Sequence, residues 1–206
     1  MSCQGFTTAI LLAAGGSTRL GRPKQLLPWK GSTFIGSTIN QLAIAGCDRL
    51  IVVLGAHESE VREHCVAPSS VQLNIVTNVE WSNGQGTSLR EGIKYAIAVK
   101  DIGVTLIALC DQPLIDSTHY RDLIAKVRRL GYFAAATEYP EGLGVPACVS
   151  LLALQSLSLS VGDTGAKKWL REQPQHKVSG LTAPAAILDV DTELDYRKIL
   201  KHDQVV

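Results

Sequence analysis

Short apolar runs alternate along the chain with longer segments whose apolar positions recur every three or four residues. The runs fall at residues 7–13, 50–54, 71–76, 104–109 and 133–137. They are too short for buried helices and are rich in Val, Ile, Leu and Thr, so they read as strands. The stretch at 33–45 is helical: Phe34, Ile35, Ile39, Leu42 and Ala43 lie near the helical period. Ser32 or Thr33 can cap its first turn and Gly46 can end it. Segment 58–65 predicts a short helix. Segment 86–99 predicts a longer one, with Leu89, Ile93, Ala96 and Ile97 on one face, and 117–130 predicts a helix that stops at Gly131. The last third is less regular: a strand at 145–149, a helix from Leu151, a helix at 164–172, a strand at 185–190 and a closing helix at 193–200.

Such alternation predicts a three-layer α/β/α architecture around a mainly parallel, mixed sheet. No repeat or linker divides the chain, so one domain over residues 1–206 is expected. In open sheets of this kind, ligands bind beyond the carboxyl ends of the strands. Four features fall at that edge: the loop after the first strand, His57, Asp111-Gln112-Pro113, and Asp189-Val190-Asp191.

The loop after the first strand runs Leu12-Ala13-Ala14-Gly15-Gly16-Ser17-Thr18-Arg19-Leu20-Gly21-Arg22-Pro23-Lys24. Glycines here let the backbone turn sharply and approach a ligand, and its N–H groups can cradle an anion. Arg19 and Lys24 add positive charge. The glycines are adjacent, which excludes a G-x-G-x-x-G dinucleotide fingerprint. Gly16 and Gly21 have P-loop spacing, but Arg22-Pro23 stands where Lys-Ser/Thr is required. The loop therefore points to phosphate binding of another kind.

Asp111 ends a strongly apolar strand, where an unpaired carboxylate is costly. A cation or several donors must face it. Mg²⁺ takes oxygen ligands, commonly one or two carboxylates plus phosphate oxygens. The competing role for Asp111, capping the following helix, suits Asp116 or Ser117 better. On a strand at 185–190, Asp189 and Asp191 would extend the alternation and face one side. Trp81 could stack on a ring, although packing is the commoner use of such a side chain, and His57 stands between ligand contact and loop hydrogen bonding.

Composition narrows the partners. Of 206 residues, 46% are hydrophobic and 19% charged, an ordinary globular balance. Net charge is +1, with no basic stripe to suggest nucleic acid. Lys167-Lys168 reads as a solvated helix face. The five cysteines are widely spaced with no C-x-x-C pair, which argues against zinc and a disulfide framework and for a reducing, cytoplasmic setting. Neither a signal peptide nor an apolar run long enough to span a membrane is evident.

Taken together, A-A-G-G-S-x-R-x-G-x-P-K resembles the signature of the MobA-like nucleotidyltransferases, the molybdenum cofactor guanylyl- and cytidylyltransferases. The continuation Pro23-Lys24-Gln25-Leu26-Leu27-Pro28-Trp29 is similar to the cytidylyltransferase branch, as is the segment from Asn78 to Gly92. The likeness recurs at Asp111-Gln112-Pro113, Gly162-Asp163-Thr164-Gly165-Ala166 and Asp189-Val190-Asp191-Thr192. It implies a Rossmann-like, GT-A-like nucleotide-diphospho-sugar transferase fold and Mg²⁺-dependent transfer of CMP from CTP to the phosphate of molybdopterin, with release of pyrophosphate. By the same likeness, Leu12, Ala13, Ala14, Gly15 and Gly16 would hug the nucleotide, and Arg19 and Lys24 would hold the triphosphate. Asp111 would bind the metal with Asp189 as second ligand, and Gly84 and Ser88 would meet the base. Residues 142–146 and 162–166 would face the acceptor. The chain departs from the pattern twice: Val145 stands where a histidine commonly precedes the proline, and Glu193 replaces the proline of D-x-D-T-P. Transfer of another nucleotide (GTP or UTP), a sugar or polyol phosphate acceptor, and a non-catalytic accessory role toward a molybdenum hydroxylase remain open on sequence.

Overall fold

The computed structural model describes residues 5–99, 101–160, 165–182 and 189–203. From the amino end come strand β1 (Phe6–Leu12), a small hairpin of β2 (Pro28–Trp29) and β3 (Ser32–Thr33), helix α1 (Phe34–Ile44), β4 (Arg49–Leu54), α2 (Glu58–Arg62), β5 (Gln72–Thr77) and α3 (Gln85–Ala98). There follow β6 (Ile102–Leu109), α4 (Ser117–Arg128), β7 (Ala134–Tyr139), β8 (Gly142–Ser150), α5 (Leu151–Ser160), α6 (Ala166–Glu172), β9 (Val178–Thr182) and α7 (Glu193–Asp203).

Among the described residues, seven strands form one sheet in the order β5-β4-β1-β6-β8-β7-β9. β5, β4, β1 and β6 run parallel; β8 is antiparallel to both its neighbours, and β9 pairs parallel with β7. The sheet is mixed, as the alternation predicts. Both faces are covered, and this explains why the central strands read as unbroken apolar runs. Ala9 and Leu11 of β1 point into the layer with Phe34, Ile39, Leu123 and Tyr196. Ile10 and Leu12 point to the other face, against Leu89, Ile93, Leu154 and Trp169. Each fully buried Leu or Ile contributes about 1.5–3 kcal/mol, so the alternating set on β1 and β4 fixes the register.

Helix starts follow local chemistry. The Thr33 side chain accepts from Gly36 N at 3.2 Å, and Asp116 accepts from His119 N at 3.0 Å. Asp116 thus takes the capping role that competed for Asp111. Strand β9, with Gly180 at its centre, has no counterpart in the sequence reading. Of the strand expected at 185–190, residues 183–188 lie outside the described residues; Asp189, Val190 and Asp191 are irregular rather than extended. The two aspartates accordingly do not share a strand face, which corrects that expectation. Among the described residues no helix is long and apolar enough to cross a membrane.

Candidate functional site

The loop after β1 leaves the carboxyl edge of the sheet and is held there from both sides. Ala13 N donates to Val53 O at 2.9 Å and Ala56 N to Ala14 O at 3.0 Å, continuing the β1–β4 pairing past the strand ends. Ser17 adopts a left-handed backbone, φ 52°, and its hydroxyl accepts from Lys24 N at 3.0 Å. This turn folds Lys24 back over the edge. Gln25, 1% exposed, donates from Nε2 to Ala13 O at 2.7 Å and to Gly15 O at 2.9 Å. One buried amide therefore fixes two carbonyls of the glycine-rich loop.

Beside this loop lies a cleft. Its near wall is Leu12, Ala13, Ala14, Gly15, Lys24 and Gln25, and its far wall is Trp81, Gln85, Ser88, Leu109, Cys110 and Asp111. Trp81 both packs and lines the cleft. A Cβ on Gly55 would meet Trp81 Cβ at 2.6 Å, and one on Gly16 would meet the indole ring at 2.9 Å. Glycine at both positions is thus the condition for the indole to wedge between two loops. Asn78 arranges the far wall: its amide nitrogen donates to Thr87 Oγ1 and Ser88 Oγ, each at 2.9 Å, and its oxygen accepts from Glu80 N at 2.9 Å. Ser88 is buried and uses its oxygen as acceptor in that bond, so its hydroxyl proton remains a donor. Gly84, φ 111°, turns the chain into α3.

Charged groups gather at the mouth. Val190 N donates to Asp111 O at 2.9 Å, and this brings 189–191 beside the end of β6. Lys24 Nζ lies 2.5 Å from Asp111 Oδ2 and 3.1 Å from Asp191 Oδ1. Arg19 reaches the other oxygen of Asp191 at 2.7 Å. Asp189 instead accepts from Gln112 Nε2 at 2.9 Å. Burial alone would lower the Lys24 pKa, but Asp111 and Asp191 together outweigh it and raise the ammonium above its ordinary value. For Asp191, burial pushes up and is overcome by Lys24 and then Arg19, which hold the carboxylate below the usual range. Asp189 is exposed as a residue, yet its carboxyl turns inward onto Gln112; desolvation first, and then the Asp111 charge, raise its pKa.

Asp111 Oδ1 is buried and has no hydrogen-bond partner among the described residues. An orphaned anionic oxygen at the end of this cleft suits a divalent cation. No set of three or more His, Cys, Asp or Glu side chains that could hold a metal occurs among the described residues. A cation here would therefore take part of its shell from phosphate and water. Cys110 borders the cleft, but burial pushes its thiol far above the ordinary range and disfavours the thiolate a nucleophile requires.

The expected residues thus separate into groups. Leu12, Ala13, Ala14, Gly15, Lys24, Ser88 and Asp111 line one cleft. Arg19 and Asp189 stand at its rim, and Gly16 backs onto Trp81. His57 is exposed at the start of α2, with φ 56°, and does not line the cleft. Of the 142–146 segment, Val145 O accepts from Tyr139; Gly162, Asp163 and Thr164 lie outside the described residues. Gln25, Asn78 and Gln112 carry the supporting hydrogen bonds, and the sequence reading assigned them none. Their only signal was membership in the motifs.

A mixed sheet of this order with helices on both faces is the nucleotide-diphospho-sugar transferase fold. The chain belongs to the MobA-like NTP transferase domain family, whose model matches residues 9–178. It is 34% identical over 175 residues to nicotine blue oxidoreductase of Paenarthrobacter nicotinovorans, covering 81% of this chain and 82% of that protein. It is 27% identical over 188 residues to molybdenum cofactor cytidylyltransferase of Escherichia coli K12, covering 91% and 92%. The crystal structure of Rv0371c from Mycobacterium tuberculosis H37Rv in complex with manganese superposes with a TM-score of 0.74 at 30% identity, covering 95% of this chain and 98% of that one.

Proposed function

We propose that this protein transfers CMP from CTP to the terminal phosphate of a molybdopterin-type acceptor and releases pyrophosphate, with Mg²⁺ as its metal. The observation that carries the reading is Lys24, held between Asp111 and Asp191 at the lip of the glycine-rich loop. A cation poised among carboxylates beside the cleft of the glycine-rich loop suits a site that receives a triphosphate and a metal together. The near-full-length likeness to a molybdenum cofactor cytidylyltransferase supports the choice of base and acceptor.

In this reading an acceptor phosphate oxygen attacks the α-phosphorus of CTP. The bond to the bridging oxygen of the β-phosphate breaks, and pyrophosphate leaves with that oxygen and its electron pair. The backbone from Leu12 to Gly16 approaches the nucleotide, and Ser88 with Gly84 meets the base. Lys24 and Arg19 oppose the charge that grows on pyrophosphate. Asp111 and Asp189 would hold Mg²⁺, which when bound would neutralise phosphate charge. The setting is cytoplasmic, and the product would serve a molybdenum hydroxylase.

The test is to incubate the protein with Mg²⁺, molybdopterin and each of four radiolabelled triphosphates, measuring pyrophosphate and product. Turnover with CTP alone supports the proposal. Turnover with GTP or UTP, or only with a sugar or polyol phosphate, replaces base or acceptor while keeping the reaction. A second reading is favoured by the relative named as an oxidoreductase: a nucleotide- or cofactor-binding accessory protein without transfer. Binding of triphosphate without turnover would select it. The joint presence of Arg19, Lys24, Asp111 and Asp189 weighs against it, since a silent protein needs no such combination.

A further inference from the structure

Gln112 follows Asp111 directly and is 3% exposed. Its amide nitrogen has two protons, and both are used. One goes to Asp189 Oδ1 at 2.9 Å and the other to the Tyr139 hydroxyl at 2.9 Å, with Val145 O at a longer 3.5 Å beside the latter. The Tyr139 hydroxyl spends its own proton on Val145 O, so the phenolic oxygen must accept from Gln112. Chemistry fixes the amide's direction. Turned over, its carbonyl would face the Asp189 carboxylate, two acceptors with no proton between them. Gln112 Oε1 is buried and lacks a hydrogen-bond partner among the described residues. Packing alone does not favour this, because an apolar side chain of similar shape would leave no orphaned acceptor.

We propose that Gln112 is a positioning residue that holds the Asp189 carboxylate for the divalent metal shared with Asp111, and that Tyr139 ties this hold to the β7–β8 hairpin. The inference rests on the reading of Asp111 and Asp189 as the metal carboxylates. A carboxylate at a loop end is free to rotate. Fixing Oδ1 with a neutral donor leaves Oδ2 for the cation and adds no charge. Glutamate could not replace this group: it would set a third carboxylate against Asp111 and Asp189. Residues that orient metal ligands commonly change metal affinity by about 10–100-fold when removed.

The test uses the whole chain, Mn²⁺ as probe and a non-hydrolysable α,β-methylene CTP analogue, with bound Mn²⁺ read by electron paramagnetic resonance. Gln112→Leu and Gln112→Met should each weaken Mn²⁺ binding by about 10-fold or more. Affinity for the analogue without metal should stay within about twofold, because the amide acts on a metal ligand and not on the nucleotide. Asp189→Asn should weaken Mn²⁺ similarly, and the double variant Gln112→Met/Asp189→Asn should be no worse than Asp189→Asn alone. Wild-type Mn²⁺ affinity in both Gln112 variants, with Asp189→Asn impaired, overturns the role of Gln112 and leaves the metal reading standing. Losses that add in the double variant, or an equal loss of metal-free analogue binding, also overturn it. Unchanged Mn²⁺ affinity in Asp189→Asn removes Asp189 from the metal site, and this proposal falls with it.

Discussion

Lys24→Met removes the charge at the centre of the site while keeping most of the side chain's length and apolar stem. Lys24 and Asp111 side chains are 15% and 18% exposed, so water screens their contact poorly. Taking one partner from a buried pair generally costs about 3–5 kcal/mol, because the other charge is left behind. Asp191 is 35% exposed and keeps Arg19, so its share is smaller. The expected loss is therefore about 2–3 kcal/mol, falling mainly on Asp111. A chain of this size shifts by about 2–4 °C per kcal/mol, giving a melting midpoint roughly 4–12 °C lower. Urea titration in chelator-treated buffer measures the loss, and Lys24→Met/Asp111→Asn should recover part of it. A loss below about 1 kcal/mol would refute the claim that Lys24 neutralises this edge. The same lysine can be tested on chemistry. A charge about 4 Å from a phosphate is worth at most about 4 kcal/mol at an effective dielectric near 20, so Lys24→Ala should lower turnover by up to roughly a thousandfold. A drop below about threefold would remove it from the reaction.

Asp111→Asn should abolish Mg²⁺-dependent turnover while leaving the chain folded; activity at wild-type Mg²⁺ levels would contradict the metal assignment. Gly55→Ala sets a methyl 2.6 Å from Trp81 Cβ and 2.9 Å from Ala14 Cβ, atoms that cannot swing away. It should destabilise by about 1–3 kcal/mol, and an unchanged denaturation midpoint would refute the wedge. His119 is held below its ordinary pKa by burial, against the upward pull of Asp116 and Asp122. The unfolded chain then binds a proton that the folded chain does not, so stability is full above about pH 6.5 and falls as pH drops below it. His119→Gln should flatten that slope in urea titrations from neutral to mildly acid pH; parallel curves would exclude His119 as its source.

The sequence pattern exposes those elements whose burial is uniform. β1, β4 and β6 are covered on both faces, and their apolar runs end within two residues of the observed strands. Helices α1, α3 and α4 carry an apolar face, α1 and α4 also a cap and a stop signal, and each is found where expected. Strand β9 escapes because it lies at the sheet edge with only Val178 of its residues buried and Gly180 breaking its alternation. The β2–β3 hairpin has two residues per strand, too few for any period. The misreading of Asp189 and Asp191 has a related cause. An apolar approach suggests a strand, yet 189–191 is irregular and a backbone bond from Val190 to Asp111 sets it beside the end of β6.

The site was legible where a residue type is costly in its setting. Adjacent glycines after a buried strand, a lysine after a proline, and an aspartate closing an apolar run each demand a reason, and the cleft brings all three together. Buried amides make no such demand from sequence, since glutamine and asparagine are ordinary anywhere. Their work exists only between segments far apart in the chain: Gln25 with Ala13 and Gly15, Asn78 with Thr87 and Ser88, Gln112 with Tyr139 and Asp189. The choice of amide has a physical logic. Lys24, Arg19, Asp111, Asp189 and Asp191 already set the local charge, and on the proposed reading a triphosphate with a divalent ion would enter it. Any further ion would shift that balance and the pKa values that depend on it. A neutral group with two donors and an acceptor can fix a loop, a helix start or a carboxylate while leaving the charge unchanged. This edge is thus built from few charges held by neutral amides, and replacing any of the three by its acid should impair triphosphate binding more than replacing it by an apolar isostere.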